Sequence, residues 1–238
     1  MFSVKIITAY PEMFPGVLGH SVIGNALKKK KWFLETINLH DFGYDERNSI
    51  DDIPFGGGPG MIVRPDVVEK AVNFITQNSD KPSCFIYMSP AGKLLKQNDL
   101  IKFSKIGQIV ILCGKFEGVD SRAIEELGFQ EVSIGDYIIS GGEVAAQVLV
   151  EGCIRLLPGV LGHPESVLEE SFSNNLLEYP HYTRPKVWLD AQNIEHHVPD
   201  ILLSGHHEKI KEWRNSKSLE KTKKNRPDLL NKENRNKQ

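Results

Sequence analysis

The sequence predicts an α/β fold with a largely parallel sheet, followed by a small all-helical C-terminal domain. Three observations predict it: short β-branched runs recur along the first two-thirds of the chain, helical patterns lie between them, and glycine-bearing loops follow the runs. The runs are FSVKIITA (2–9), WFLETINL (32–39), CFIYMS (84–89), QIVILC (108–113) and VSIGDYIIS (132–140). Several are almost continuously apolar, the pattern of strands covered on both faces.

The helical patterns fall at 65–77, near 97–104, near 119–127 and from Gly142 to about Leu157. The first opens with Pro65 at a favoured first-turn position. The run PGVLGHPESVLEESFSNN (158–175) then breaks the rhythm, with two Pro, two Gly and no period. Long loops of this kind are usually functional or disordered. After it come PHYTRP (180–185), two short helices around 199–216 and a basic helix at 218–225 stopped near Pro227. The expected organisation is a cofactor-binding domain at 1–157, a mobile linker at 158–176 and a helical domain at 177–238, with the last eight residues frayed.

The 238 residues are 40% hydrophobic and 25% charged, an ordinary globular composition that suits one large domain or a medium and a small one. Net charge is −2, but residues 205–238 hold 11 Lys+Arg against 5 Asp+Glu, leaving the rest of the chain at −8. A basic tail on an acidic body suits an anionic partner, or a solvated helix with lysines on its outer face. Cys84, Cys113 and Cys153 are odd in number and widely spaced, which argues against a disulfide framework or a zinc site. His196–His197 and His206–His207 are adjacent pairs whose side chains diverge on a helix or strand, so no metal site is read there. No basic leader precedes the first apolar stretch, and no apolar run approaches the ~18–20 residues needed to span a bilayer. The expectation is a soluble cytoplasmic protein with no membrane attachment.

Three strand-end loops carry glycines: YMSPAG (87–92), CGKFEG (113–118) and IGDYIISGGE (134–143). In a parallel sheet ligands bind at the carboxyl ends of strands, so these loops can line one pocket. Glycine lets the backbone approach a flat ligand with its N–H and C=O groups free. None has the spacing of a dinucleotide or P-loop site. A fourth segment, DDIPFGGGPGM (51–61), lacks the lysine of a phosphate loop and reads as a tight turn or a loop closing over substrate.

FGGGPGM, YMSPAGK, CGKFEGVDSR, SIGDYIISGGE, LPGVLGH, the EESF box, PHYTRP and LLSGHHEKIKEWR occur in the order seen in the TrmD family, and the likeness runs from YPEMF at 10–14 to RPDLL at 226–230. The chain therefore resembles the tRNA (guanine-N1-)-methyltransferases of the SPOUT superfamily. The resemblance implies a deep trefoil knot, S-adenosyl-L-methionine as methyl donor, and a homodimer with a shared active site. It also implies a target guanosine just 3′ of the anticodon in the tRNA stem-loop. The need for Mg²⁺ is left to assay.

By resemblance the cofactor contacts are Tyr87, Ser89 and Pro90; Gly114, Phe116 and Glu117; and Ile134, Gly135, Tyr137, Ile139, Gly141 and Gly142. Ile134 and Ile139 can sandwich an adenine while backbone groups read its edge. Many members carry Arg-Tyr where this chain has Lys115-Phe116; stacking survives the lost hydroxyl, and a hydrogen bond from it does not.

The reaction needs a base for the N1 proton and a cation or donor for the charge that builds on O6. The family's catalytic arginine matches Arg155, which by itself also reads as a cation favoured at a helix C-terminus. The family's basic Asp is replaced by Glu170, one methylene longer, so its backbone must stand about 1.5 Å further back. RNA contact is expected from Tyr182 and Arg184 in PHYTRP, a domain-docking or substrate-gripping element, and from Lys209, Arg214, Lys221 and Lys224. Trp213 reads as core. The alternative function is a catalytically silent RNA-binding dimer of the same fold.

Overall fold

The computed structural model describes residues 1–78, 83–162, 171, 172 and 174–230. They form two compact units, Met1–Gly162 and His163–Gln238. In the first, strands β1 (Phe2–Thr8), β2 (Trp32–Asn38), β5 (Ser83–Leu94), β6 (Gln108–Cys113) and β7 (Gln130–Ser133) make one sheet in the order β2-β1-β6-β5-β7, with every pairing parallel. A separate two-stranded ribbon joins β3 (Asp51–Asp52) to β4 (Ile62–Val63).

The apolar strand runs have a physical reason, because both faces of the sheet are covered. Along β1, Val4 and Ile6 enter one buried cluster and Ile7 the other; along β6, Ile109 and Ile111 face one way and Val110 and Leu112 the other. Helices α1 (Ser21–Lys28), α3 (Gln97–Ser104) and α5 (Gly142–Ile154) cover the first face, and α2 (Pro65–Gln77) and α4 (Ser121–Glu126) the second. Each fully buried Val, Leu or Ile contributes roughly 1.5–3 kcal/mol. All three cysteines are buried among these side chains.

Two strands differ from their sequence expectation. The run expected at 132–140 pairs only as far as Ser133, because the Ser133 hydroxyl bonds both the N–H and the C=O of Gly135 and turns the chain out of the sheet. The run expected at 84–89 continues to Leu94, since Met88 and Lys93 both pair with Val132 and the four residues between them bulge outwards.

The second unit is not all-helical. Strands β8 (Val187–Leu189) and β9 (Glu195–His197) form an antiparallel hairpin. Asp190 closes its turn by accepting from the N–H groups of Gln192 and Ile194. The helices expected at 199–216 and 218–225 are one continuous α6 (His207–Asn225), preceded by a 3-10 turn at Asp200–Leu203. No Pro or Gly interrupts His207 to Asn225, so nothing breaks the helix there.

Candidate active site

Because all five strands run the same way, the ends of β5, β6 and β7 lie at one edge, and their loops meet. The bulge of β5 brings Ser89 and Pro90 forward, with the Ser89 hydroxyl accepting from the Ala91 N–H at 3.2 Å. The loop after β6 holds Phe116 at φ 57°, a left-handed conformation unusual for an aromatic residue and typical of strained sites. The loop after β7 is tied to it twice: Lys115 Nζ donates to the Ser140 carbonyl at 3.1 Å, and the Gly142 N–H to the Gly114 carbonyl at 2.8 Å.

Together they enclose a cavity of about 410 Å³. Tyr87, Ser89, Pro90, Gly114, Phe116, Glu117, Ile134, Gly135, Tyr137, Ile139, Gly141 and Gly142 all line it. The approach is close enough to explain two glycines. A Cβ on Gly142 would lie 2.8 Å from both Cys113 Cα and Gly114 N, and one on Gly114 would lie 2.9 Å from the Tyr87 hydroxyl. Burial pushes the Tyr87 phenol above its ordinary pKa.

Sequence reasoning missed other wall residues. Lys115 and Ala145 line the cavity. Beside it Glu143 is a buried carboxylate, 2% exposed, at the start of α5, hydrogen-bonded to Thr8. The GGE tripeptide was its only signal, and an acid in a first helical turn is ordinary.

The fourth glycine segment is the loop of the β3–β4 ribbon. Its β4 end is stitched to the loop after β6 by Glu117 N–H to the Met61 carbonyl and Val63 N–H to the Gly118 carbonyl, both 3.0 Å. Gly56, Gly57, Gly58 and Gly60 all have positive φ, and Phe55 stands fully exposed.

Arg155 lies elsewhere in this unit. It caps the C-terminus of α5, its N–H bonded to the Glu151 carbonyl at 3.1 Å. Gly142, which lines the cavity, opens the same helix, so the two are separated by about 20 Å at 1.5 Å per residue. Glu170 falls outside the described residues.

In the second unit, Lys209, Arg214, Lys221 and Lys224 stand on α6. Arg214 is half-buried with its guanidinium 4.7 Å from the centre of the Tyr179 ring, and Lys221 Nζ donates to the Glu178 carbonyl. Tyr182 is exposed but packs beside half-buried Trp213, and Arg184 is exposed. Among the described residues no cluster of three His, Cys, Asp or Glu could hold a metal ion, and no helix is long and apolar enough to cross a membrane.

A fully parallel, doubly covered sheet with a cavity built by three strand-end loops defines an α/β protein with a cavity of small-molecule size at the carboxyl ends of its strands. Comparison narrows the class. The family model described as tRNA (Guanine-1)-methyltransferase TrmD matches residues 2–232. The tRNA (guanine-N(1)-)-methyltransferase of Wolbachia pipientis subsp. Culex pipiens (strain wPip) is 50% identical over 232 residues, covering 97% of each chain. That of Rhodospirillum rubrum is 47% identical over 224 residues, covering 94% of this chain and 90% of its own. That of Ehrlichia canis (strain Jake) is 47% identical over 228 residues, with 95% and 94% covered. The chain belongs to the TrmD family.

Proposed function

We propose that this chain transfers a methyl group to N1 of the guanosine immediately 3′ of the anticodon in tRNA, as a homodimer whose active site draws on both subunits. The observation that carries the reading is the meeting of three glycine-bearing loops in one cavity, in a chain of the TrmD family. Its volume falls within the roughly 300–1,000 Å³ of small-molecule sites.

The residues present fit S-adenosyl-L-methionine. Ile134 and Ile139 offer apolar faces for an adenine, and the missing side chains of Gly114 and Gly142 let the cavity loops pack closely against Tyr87 and one another. When bound, this group supplies the methyl. A SPOUT-type trefoil knot belongs to the same proposal, and the close approach of Gly142 to Cys113 and Gly114 supports it.

The protein's own side chains then have two tasks. N1 of guanine carries a proton at neutral pH, and Glu170 accepts it. Charge develops on O6, and the planar guanidinium of Arg155 stabilises it. The span of about 20 Å between Gly142 and Arg155 along α5 is beyond an arginine's reach. A second subunit resolves this. Val144 and Val148, one turn apart on α5, are 52% and 48% exposed. Antiparallel packing of two α5 helices centred near Val148 would set the Arg155 end of one against the Gly142 end of the other. Tyr182, Arg184, Lys209, Arg214, Lys221 and Lys224 grip the tRNA, with salt-dependent affinity.

The test is methyl transfer from labelled S-adenosylmethionine to a tRNA transcript with guanosine 3′ of the anticodon, the product base identified by mass. Wild type should form 1-methylguanosine. Glu170→Gln should lose about 10²–10⁴-fold in rate, and Arg155→Ala about 10²–10³-fold with cofactor affinity kept. Full activity in Glu170→Gln would move the base to Glu169, the preceding acid of the EESF box, or to another group. A wild type that binds tRNA without methylating it would favour the silent RNA-binding dimer.

A further inference from the structure

At the opposite edge of the sheet from the cavity, where β1 and β6 begin, lies a second groove of about 490 Å³. Lys30, Lys31 and Lys105 line it together with Gly107, Leu157 and Pro158. Two elements deliver the lysines. Lys28, Lys29, Lys30 and Lys31 run from the end of α1 into β2, and Lys105 caps the C-terminus of α3. Among the described residues none of these five lysines is paired with a carboxylate, although acids outnumber bases in this unit.

Helix termini explain part of this pattern, because cations are favoured at helix C-termini. They do not explain Lys30. The Lys31 N–H bonds the Ala26 carbonyl and the Lys30 N–H the Leu27 carbonyl, which makes Lys30 the left-handed residue of a Schellman motif, at φ 54°. Glycine is the residue suited to that position. A lysine there keeps a positive charge at a backbone cost, on a residue that lines the groove. Lys31 also donates to the Gly159 carbonyl, tying the groove to the segment that leaves α5.

That segment is the link to function. Leu157 is two residues beyond Arg155, within about 7 Å of chain. We propose that this groove binds phosphodiester groups of the tRNA backbone next to the nucleotide that Arg155 addresses. The inference rests on the methyltransferase reading and deepens it: one edge of the subunit carries both the arginine for the base and the lysines for its flanking phosphates. Such contacts position RNA without reading sequence.

The experiment uses the full chain, with Lys30→Gly alone and Lys30→Gly combined with Lys105→Gln. Glycine relieves the left-handed strain, so the melting temperature should rise by a few degrees while tRNA binding weakens. Misfolding cannot produce that combination. The plot of log affinity against log salt should become shallower by about 0.7–0.9 for each phosphate that is no longer neutralised. The KM for tRNA should rise, with kcat and S-adenosylmethionine affinity unchanged. Inorganic phosphate at matched ionic strength should compete no better than chloride.

A salt slope and tRNA affinity equal to wild type would overturn the groove proposal alone, provided wild type methylates guanosine. Phosphate competition with unchanged tRNA binding would also overturn it, by making the groove a free-anion site. A wild type that methylates no guanosine would overturn the underlying reading instead.

Discussion

Thr8 Oγ1 donates a 2.8 Å hydrogen bond to Glu143 Oε1, joining the end of β1 to the first turn of α5 across 135 residues of sequence. Both residues are buried, at 0% and 2% exposure. The other carboxylate oxygen lies beside Gly141, where a Cβ would come within 2.4 Å of it. The hydrogen bond therefore fixes the helix start and, through it, the last residues of the third cavity loop.

Thr8→Val keeps the shape of the side chain and removes the donor. The Glu143 carboxylate would then be buried without this partner, at a cost of about 1–3 kcal/mol. Urea unfolding should show a lower midpoint with an unchanged slope, and calorimetry should show weaker S-adenosylmethionine binding. A variant as stable as wild type would mean that Glu143 is satisfied by other groups.

Gly142→Ala and Gly107→Ala make a matched pair. At Gly142 the new methyl would meet Cys113 Cα and Gly114 N at 2.8 Å, both backbone atoms, whereas at Gly107 nothing lies within 4 Å. The first should destabilise by about 1–3 kcal/mol through overpacking and push the second and third loops apart, abolishing cofactor binding. The second should stay within about 0.5 kcal/mol of wild type. Thermal melting with a cofactor titration checks both.

The three cysteines predict a pH effect with a definite sign. Burial pushes the Cys153 thiol to about 12 and raises Cys84, and it pushes Cys113 up well above its usual value with help from the charge of Glu143. A raised folded pKa leaves stability intact below the unfolded value of about 8.5 and erodes it as pH rises above that, because only the unfolded chain then ionises. Unfolding midpoints should fall between about pH 8.5 and 10, and a Cys153→Ala, Cys84→Ala, Cys113→Ala variant should lack that part of the slope. At about pH 8 a thiol reagent should leave all three unmodified until urea is added.

The strand cores and the three glycine loops were legible because each rests on local pattern: Ile109 to Leu112 is apolar on both faces, Gly114 follows β6 and Gly142 opens α5. The exit from the sheet after Ser133 was not, since it depends on a hydroxyl bonding two residues ahead rather than on strand propensity. The hairpin at 187–197 was hidden by charged and histidine residues that obscure its alternation, although Val187, Trp188 and Leu189 favour a strand. Thr8–Glu143 and the Lys30–Lys105 groove join residues far apart in sequence, and such pairs leave no periodic signature.

Thr222 should prove as important to the second unit as Thr8 is to the first. It is fully buried on α6, where its hydroxyl donates to the Ser218 carbonyl at 2.7 Å and accepts from the Leu177 N–H at 2.8 Å. Thr222→Val fills the same space and strands the Leu177 amide, at about 1–3 kcal/mol. Hydrogen exchange at Leu177 should accelerate by roughly 5–150-fold, as local opening around 174–178 becomes easier. Lys221, the neighbouring residue, holds the Glu178 carbonyl, so the same opening would release a lysine proposed to grip tRNA. Thr222→Ser, which keeps the hydroxyl, should leave exchange at Leu177 close to wild type; equal acceleration in both variants would mean that the hydroxyl bond to the Leu177 amide is not what protects it.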